Sequence, residues 1–147
     1  LALRGHTVMV MDRERSRLGL LDGSISTSQT LDGLDQFEWV VEATGDQGVL
    51  STLLQRSATG ATLLLMGLPY SQMPFSFESI VSFDRTIVGT VGSSGADYEE
   101  ALRTLPMIDT TPFLQASLPL HDFEKAWSMA RSRSVLKVML QPDTGSI

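Results

Sequence analysis

Four apolar runs in this chain end on residues with chemical uses. HTVMVM (6–11) ends on Asp12, FEWVVEA (37–43) on Thr44-Gly45, ATLLLM (61–66) on Gly67-Leu68-Pro69, and TIVGTV (86–91) on Gly92-Ser93-Ser94. A carboxylate can accept two hydrogen bonds from a ribose diol, and glycine lets a backbone approach a ligand closely. If the four runs are parallel strands, these residues share the carboxyl-terminal rim, where open α/β sheets bind ligands. An acid at one strand end and small residues at the others describe a nucleotide groove. Asp12 also fits the N-cap of a following helix, a common position for aspartate.

Other chemistries lack their residues. The 147-residue chain has no cysteine and two histidines, so thiolate nucleophiles, disulfides, cysteine zinc sites and a histidine-rich metal site are excluded within it. It contains no G-x-S-x-G elbow, P-loop or H-E-x-x-H. Gly92-Ser93-Ser94-Gly95 resembles a phosphate cradle only superficially, because it lacks the fingerprint spacing. His6 opens a strand, and His121 stands beside Asp122 at a helix start, where the acid is expected to cap. Trp39 and Trp127 are expected in the core. A net charge of −6 argues against nucleic acid or an anionic membrane surface as partner. No apolar run approaches the ~18 residues that span a bilayer. The absence of cysteine fits a reducing compartment, and a cytoplasmic location is expected.

The elements that must position these residues alternate. Strands are expected over 6–11, 37–43, 61–66, 86–91 and 135–140, with shorter extended pieces at 24–27 and 113–118. Helices are expected over 12–21, 47–57, 98–105 and 122–131, with an amphipathic segment at 77–83. Most strands are apolar on both faces, as buried parallel strands are. The fold class is therefore α/β, a Rossmann-like parallel sheet flanked by helices, with residues 1–147 as one partial domain. Residues 1–5 fit the last turn of a helix capped by Gly5, and 142–147 a polar tail. The opening LALRG has neither an initiator Met nor signal-peptide features, and an upstream part is expected.

Five stretches carry a resemblance: HTVMVMDRERSRL, FEWVVEATG, GATLLLMGLP, RTIVGTVGSS and PLHDFEKAWSMARSRSVLKVMLQP. In order and spacing they resemble the cofactor domain of the medium-chain dehydrogenase/reductase superfamily, which includes zinc-dependent alcohol, sorbitol, threonine and glucose dehydrogenases. The resemblance implies an NAD(P)-binding portion of an alcohol or polyol dehydrogenase-like oxidoreductase. Asp12 matches the acid that binds the adenosine ribose and favours NAD over NADP, and Arg17 a basic position that reaches the same ribose. Arg13 and Arg15 leave NADP open, since an arginine beside the acid can accept a 2′-phosphate; both also fit solvated helix charge. Thr44 and Gly45 match the turn under the nicotinamide-side ribose. Met66, Gly67 and Leu68 match the segment packed on the nicotinamide ring, and Thr90 and Gly92 the positions that hold the carboxamide. Lys137 matches a basic residue that contacts the pyrophosphate, and fits an exposed strand lysine equally.

The same resemblance implies a homodimer through the edge strand that opens at Thr86 and closes at Val91. It also implies that the family's first strand, its G-x-G-x-x-G loop and its catalytic domain, with any zinc, lie outside these residues. The chain alone is then expected to be inactive. Two alternatives stay open: a non-enzymatic nucleotide-binding or dimerisation module, and a portion of a zinc-independent quinone or enoyl reductase.

Overall fold

Every strand pairing in the computed structural model is parallel. The structure describes all residues except 70, 71, 73, 75, 133, 134 and 143–147, so most of the expected polar tail lies outside the described residues. Among the described residues the pairing is distributed over three sheets, and the chain forms two compact units, Leu31–Asp97 and Leu1–Thr30 with Tyr98–Ile147.

In the Leu31–Asp97 unit, β3 (Trp39–Glu42), β4 (Thr62–Leu65) and β5 (Thr86–Gly89) lie side by side in chain order. Parallel neighbours need a crossover between them. The first is α2 (Gln47–Arg56), and the second includes the short α3 (Glu78–Val81). Helix α2 starts where Asp46 accepts the N–H groups of Gly48 (2.8 Å) and Val49 (3.0 Å), which helix geometry otherwise leaves without partners. Its buried side chains, Leu53 and Leu54, form the core of this unit with Leu34, Ala61 and the fully buried Leu63. Burying a leucine this completely contributes roughly 1.5–3 kcal/mol.

Register puts Leu63 between Val40 and Ile87 on one sheet face, and Trp39 and Val41 on the other. That second face stays open, and Trp39 is 71% exposed, contrary to the expectation of a core aromatic. Strand alternation decides the outcome: an apolar strand fills both faces only if both are covered.

Arg85, buried just before β5, fastens the end of α2. Its guanidinium donates to the carbonyls of Leu54, Ser57, Ala58 and Ser79 and stacks 4.4 Å from the Phe83 ring centroid. Three of those carbonyls lie at or just beyond the helix C-terminus, where unpaired oxygens and the dipole favour a cation. Burial lowers its pKa. The hydroxyl of the neighbouring Ser57 is buried with no hydrogen-bond partner among the described residues.

The other unit holds β1 (Met9–Met11), α1 (Arg15–Leu18), β2 (Ser26–Ser28), β6 (Ala116–Pro119), α5 (Phe123–Arg131) and β7 (Val138–Gln141). The boundary between units falls within α4 (Gly95–Thr104). Strand β1 pairs with β2, and β6 with β7. Gly5 caps the opening 3-10 turn with φ 81°, the left-handed conformation expected of it. The regular elements are shorter than their sequence patterns: β1 starts at Met9 rather than His6, and α1 covers four residues. Asp122 occupies the N-cap position of α5 but makes no capping hydrogen bond. Trp127 is 66% exposed and so is not a core residue either; with Phe123, Ala126 and Leu136 it lines a groove of about 580 Å³ between α5 and β7.

Candidate nucleotide site

The expected strand-end residues lie within three residues of the carboxyl ends of their strands. In the Leu31–Asp97 unit, Thr44-Gly45 follows β3, Met66-Gly67-Leu68 follows β4, and Thr90 and Gly92 follow β5. Parallel pairing in register brings these three ends to one rim. The Thr90 N–H donates to the Leu65 carbonyl at 3.1 Å, which extends the β4–β5 pairing one residue beyond the strand.

The first two turns interlock. The carbonyl of Glu42 accepts the N–H groups of Met66 (2.8 Å) and Gly67 (3.1 Å). Gly45 has φ 67°, and a Cβ there would lie 2.6 Å from the Leu68 carbonyl oxygen. A Cβ on Gly67 would collide with the Gly45 nitrogen and lie 2.8 Å from its Cα. Real Cβ contacts do not come this close, so both positions require glycine for space. Around this contact Met66 and Leu68 are 55% and 62% exposed. The rim thus presents exposed apolar side chains beside two half-buried glycines.

The Thr44 hydroxyl is occupied within its own turn. It donates to Glu42 Oε1 and accepts the Asp46 N–H at 3.0 Å. Gly92 has φ 69° and open space at its Cβ position. Ser94 is engaged elsewhere: its N–H and hydroxyl donate to Asp97 Oδ2 at 2.9 and 2.6 Å, which holds the Asp97 carboxyl below its ordinary pKa. The Gly92–Gly95 loop therefore opens a helix, in agreement with its missing phosphate-loop spacing.

In the other unit Asp12 follows β1 and is half-buried. Its Oδ1 accepts the Glu14 N–H at 2.8 Å, and its Oδ2 lies 3.5 Å from Arg17 Nη1. The structure thus brings Asp12 and Arg17 together. It also realises part of the capping role, in an Asx turn ahead of α1 rather than at the N-cap itself, which is Glu14. Arg13 is exposed, 3.9 Å from Glu14. Lys137 precedes β7 on the wall of the α5–β7 groove, at the amino end of its strand rather than at a carboxyl end.

No family model matches this chain. It is 26% identical over 144 residues to the L-threonine 3-dehydrogenase of Bacillus velezensis, an alignment covering 94% of this chain and 39% of that protein. The chain is similar to part of that dehydrogenase and spans about two-fifths of its length. Solved structures share its Rossmann-like fold. The 2R,3R-butanediol dehydrogenase of Bacillus subtilis superposes with a TM-score of 0.79 at 16% identity, over 97% of this chain and 46% of that one. A thermostable alcohol dehydrogenase from Pyrobaculum aerophilum, solved with cobalt and zinc bound, gives 0.77 at 22% identity, over 96% and 44%.

The residue that organises the rim, Glu42, escapes a reading of strand ends alone, because it is the last residue of an otherwise apolar strand. The signal for Glu42 was present: an acid at the inward register position of β3, two residues before a Thr-Gly turn.

Proposed function

We propose that this chain is the NAD(P)-binding portion of an alcohol or polyol dehydrogenase-like oxidoreductase, whose whole protein moves a hydride between an alcohol and a nicotinamide. The observation that carries this reading is the interlocked Gly45–Gly67 rim with exposed Met66 and Leu68 beside it. In this reading Met66 and Leu68 take one face of the nicotinamide, and Gly67 lets the backbone come close to it. The Thr44-Gly45 turn underlies the adjoining ribose, and Thr90 and Gly92 meet the carboxamide through backbone groups. Asp12, aided by Arg17, holds the adenosine ribose. The carboxylate favours NAD, because a 2′-phosphate beside it is repelled; Arg13 keeps NADP open. Lys137 is assigned to the pyrophosphate by resemblance alone.

When bound, the dinucleotide supplies the hydride acceptor. The chain's own residues bind and orient it and exclude water from one face of the ring. Zinc does not fit them: among the described residues no three His, Cys, Asp or Glu side chains are grouped to hold a metal. Substrate activation is assigned to parts of the whole protein outside this chain. The same reading includes a cytoplasmic protein and a homodimer joined through β5. It is supported to the extent that β5 is the edge of its sheet, and that no helix among the described residues is long and apolar enough to cross a membrane.

The chain alone should show no dehydrogenase activity and bind NAD weakly. Titrating the 15N-labelled chain with NAD to millimolar concentration should shift the amides of Thr44, Gly45 and Met66–Leu68. An absence of shifts at these amides would remove the nucleotide reading, and a micromolar affinity by calorimetry would overturn the expectation of weak binding.

A further inference from the structure

Glu42 is buried, 3% exposed, at the end of β3. An unpartnered carboxyl group at such a position is costly, yet its partners are all one turn of its own chain. Oε1 accepts the Thr44 N–H at 2.7 Å and the Thr44 hydroxyl at 2.5 Å, and the Gly45 N–H is shared between Oε1 and Oε2 at 3.1 and 3.2 Å. The carbonyl of the same residue holds Met66 and Gly67. Glu42 therefore grips both strand-end turns, one through its side chain and one through its main chain. The carboxyl also stands where a Gly67 Cβ would come within 2.5 Å of Oε2. Nothing in the ordinary economy of a three-stranded sheet needs an acid here, because an apolar side chain would serve the buried face. What the acid adds is a defined path for the Thr44-Gly45 backbone, pressed against Gly67 and Leu68.

We propose that Glu42 is the positioning residue of this rim: it fixes the Thr44-Gly45 turn against Met66-Gly67-Leu68 and so sets the shape of the surface offered to the nicotinamide half of the cofactor. The assignment to a nicotinamide rests on the function proposed above; the gripping of the two turns does not. Glu42 does not itself touch ligand, since its carboxyl is enclosed by the turn.

Amide hydrogen exchange of the 15N-labelled chain tests this, with Glu42→Gln and Thr44→Val as mild variants and Glu42→Ala as the severe one. Losing a hydrogen bond of about 1.4 kcal/mol raises local exchange about tenfold. Glu42→Ala should raise exchange by about that factor at Thr44 and Gly45, while Gly67, whose N–H is held by the main-chain carbonyl that alanine keeps, and amides in the middle of α2 and β4 keep their protection. Glu42→Gln keeps one acceptor oxygen, so it should restore protection at Thr44 but less at Gly45. Thr44→Val should loosen the same turn without altering the acid. Unchanged exchange at these amides in both mild variants, or a rise spread evenly over the unit, overturns the proposal. An NADH titration of the same samples separates the two readings. If wild type gives no shifts at residues 44–45 and 66–68 while the exchange pattern appears as stated, the nucleotide reading fails and the role of Glu42 stands. If wild type and Glu42→Gln bind NADH with the same shifts and affinity and the turns stay protected, the role of Glu42 fails and the nucleotide reading stands.

Discussion

Asp12 has both oxygens engaged, one on the Glu14 N–H and one toward Arg17. A carboxylate can accept about four hydrogen bonds, so these contacts leave lone pairs for a diol and hold the group in one orientation. The pair with Arg17 is partly solvated at 3.5 Å and contributes little to stability, at most ~1 kcal/mol. In the proposed function its use would be to aim the carboxylate. In the whole protein, Asp12→Ser should move the ratio of NAD to NADP affinity toward NADP, because the repelling charge is removed. Steady-state kinetics with both cofactors checks this, and an unchanged ratio would take Asp12 out of the ribose site. The two glycines of the rim act through space alone, which is why a motif of small residues after apolar runs was readable without coordinates.

Among the elements, α2 shows how a helix is finished at both ends by side chains from the chain around it. Asp46 satisfies its first N–H groups, and Arg85, arriving from the start of β5, satisfies carbonyls at its end. Replacing Arg85 with Met keeps much of the volume and removes every one of those donors. Buried carbonyls left without partners cost about 1–3 kcal/mol each in the worst case, and a total loss of ~2–4 kcal/mol in urea unfolding is expected. A change below ~0.5 kcal/mol, the usual range for surface substitutions, would mean that water replaces the guanidinium freely. Arg85 was not legible beforehand because its partners come from α2, α3 and the connection to β4, which no local pattern places together. The strands over 39–42, 62–65 and 86–89 and the helix over 47–56 were legible, since apolar runs and leucine spacing report them directly. The exposed indoles were not. Hydrophobicity says that a residue prefers burial, and only the layer packed against it decides whether burial happens.

For the whole molecule, the open question posed by the fold is its sheet edges. Thr86 and Thr90 direct their N–H groups to β4, so strand alternation turns those of Ile87 and Gly89 toward the free edge of β5. An uncovered edge of this kind pairs readily with another strand. If two copies join there, Gly89→Pro removes an outward donor without touching the β4 pairing. The variant should then sediment as a monomer with an unchanged circular dichroism spectrum, whereas an unshifted sedimentation profile would place any dimer contact elsewhere. Among the described residues β1 pairs with β2 alone and β3 with β4 alone. The chain spans about two-fifths of the length of its curated relative, 39%.

The two tryptophans turn that openness into an optical property. Each compact unit carries one indole, Trp39 at 71% exposure and Trp127 at 66%. Indoles already in water emit near the long-wavelength limit, so unfolding should hardly move the emission maximum of this chain. A blue shift should instead report something settling onto one of these faces. Trp39→Phe and Trp127→Phe, measured singly, would then tell which unit has been covered.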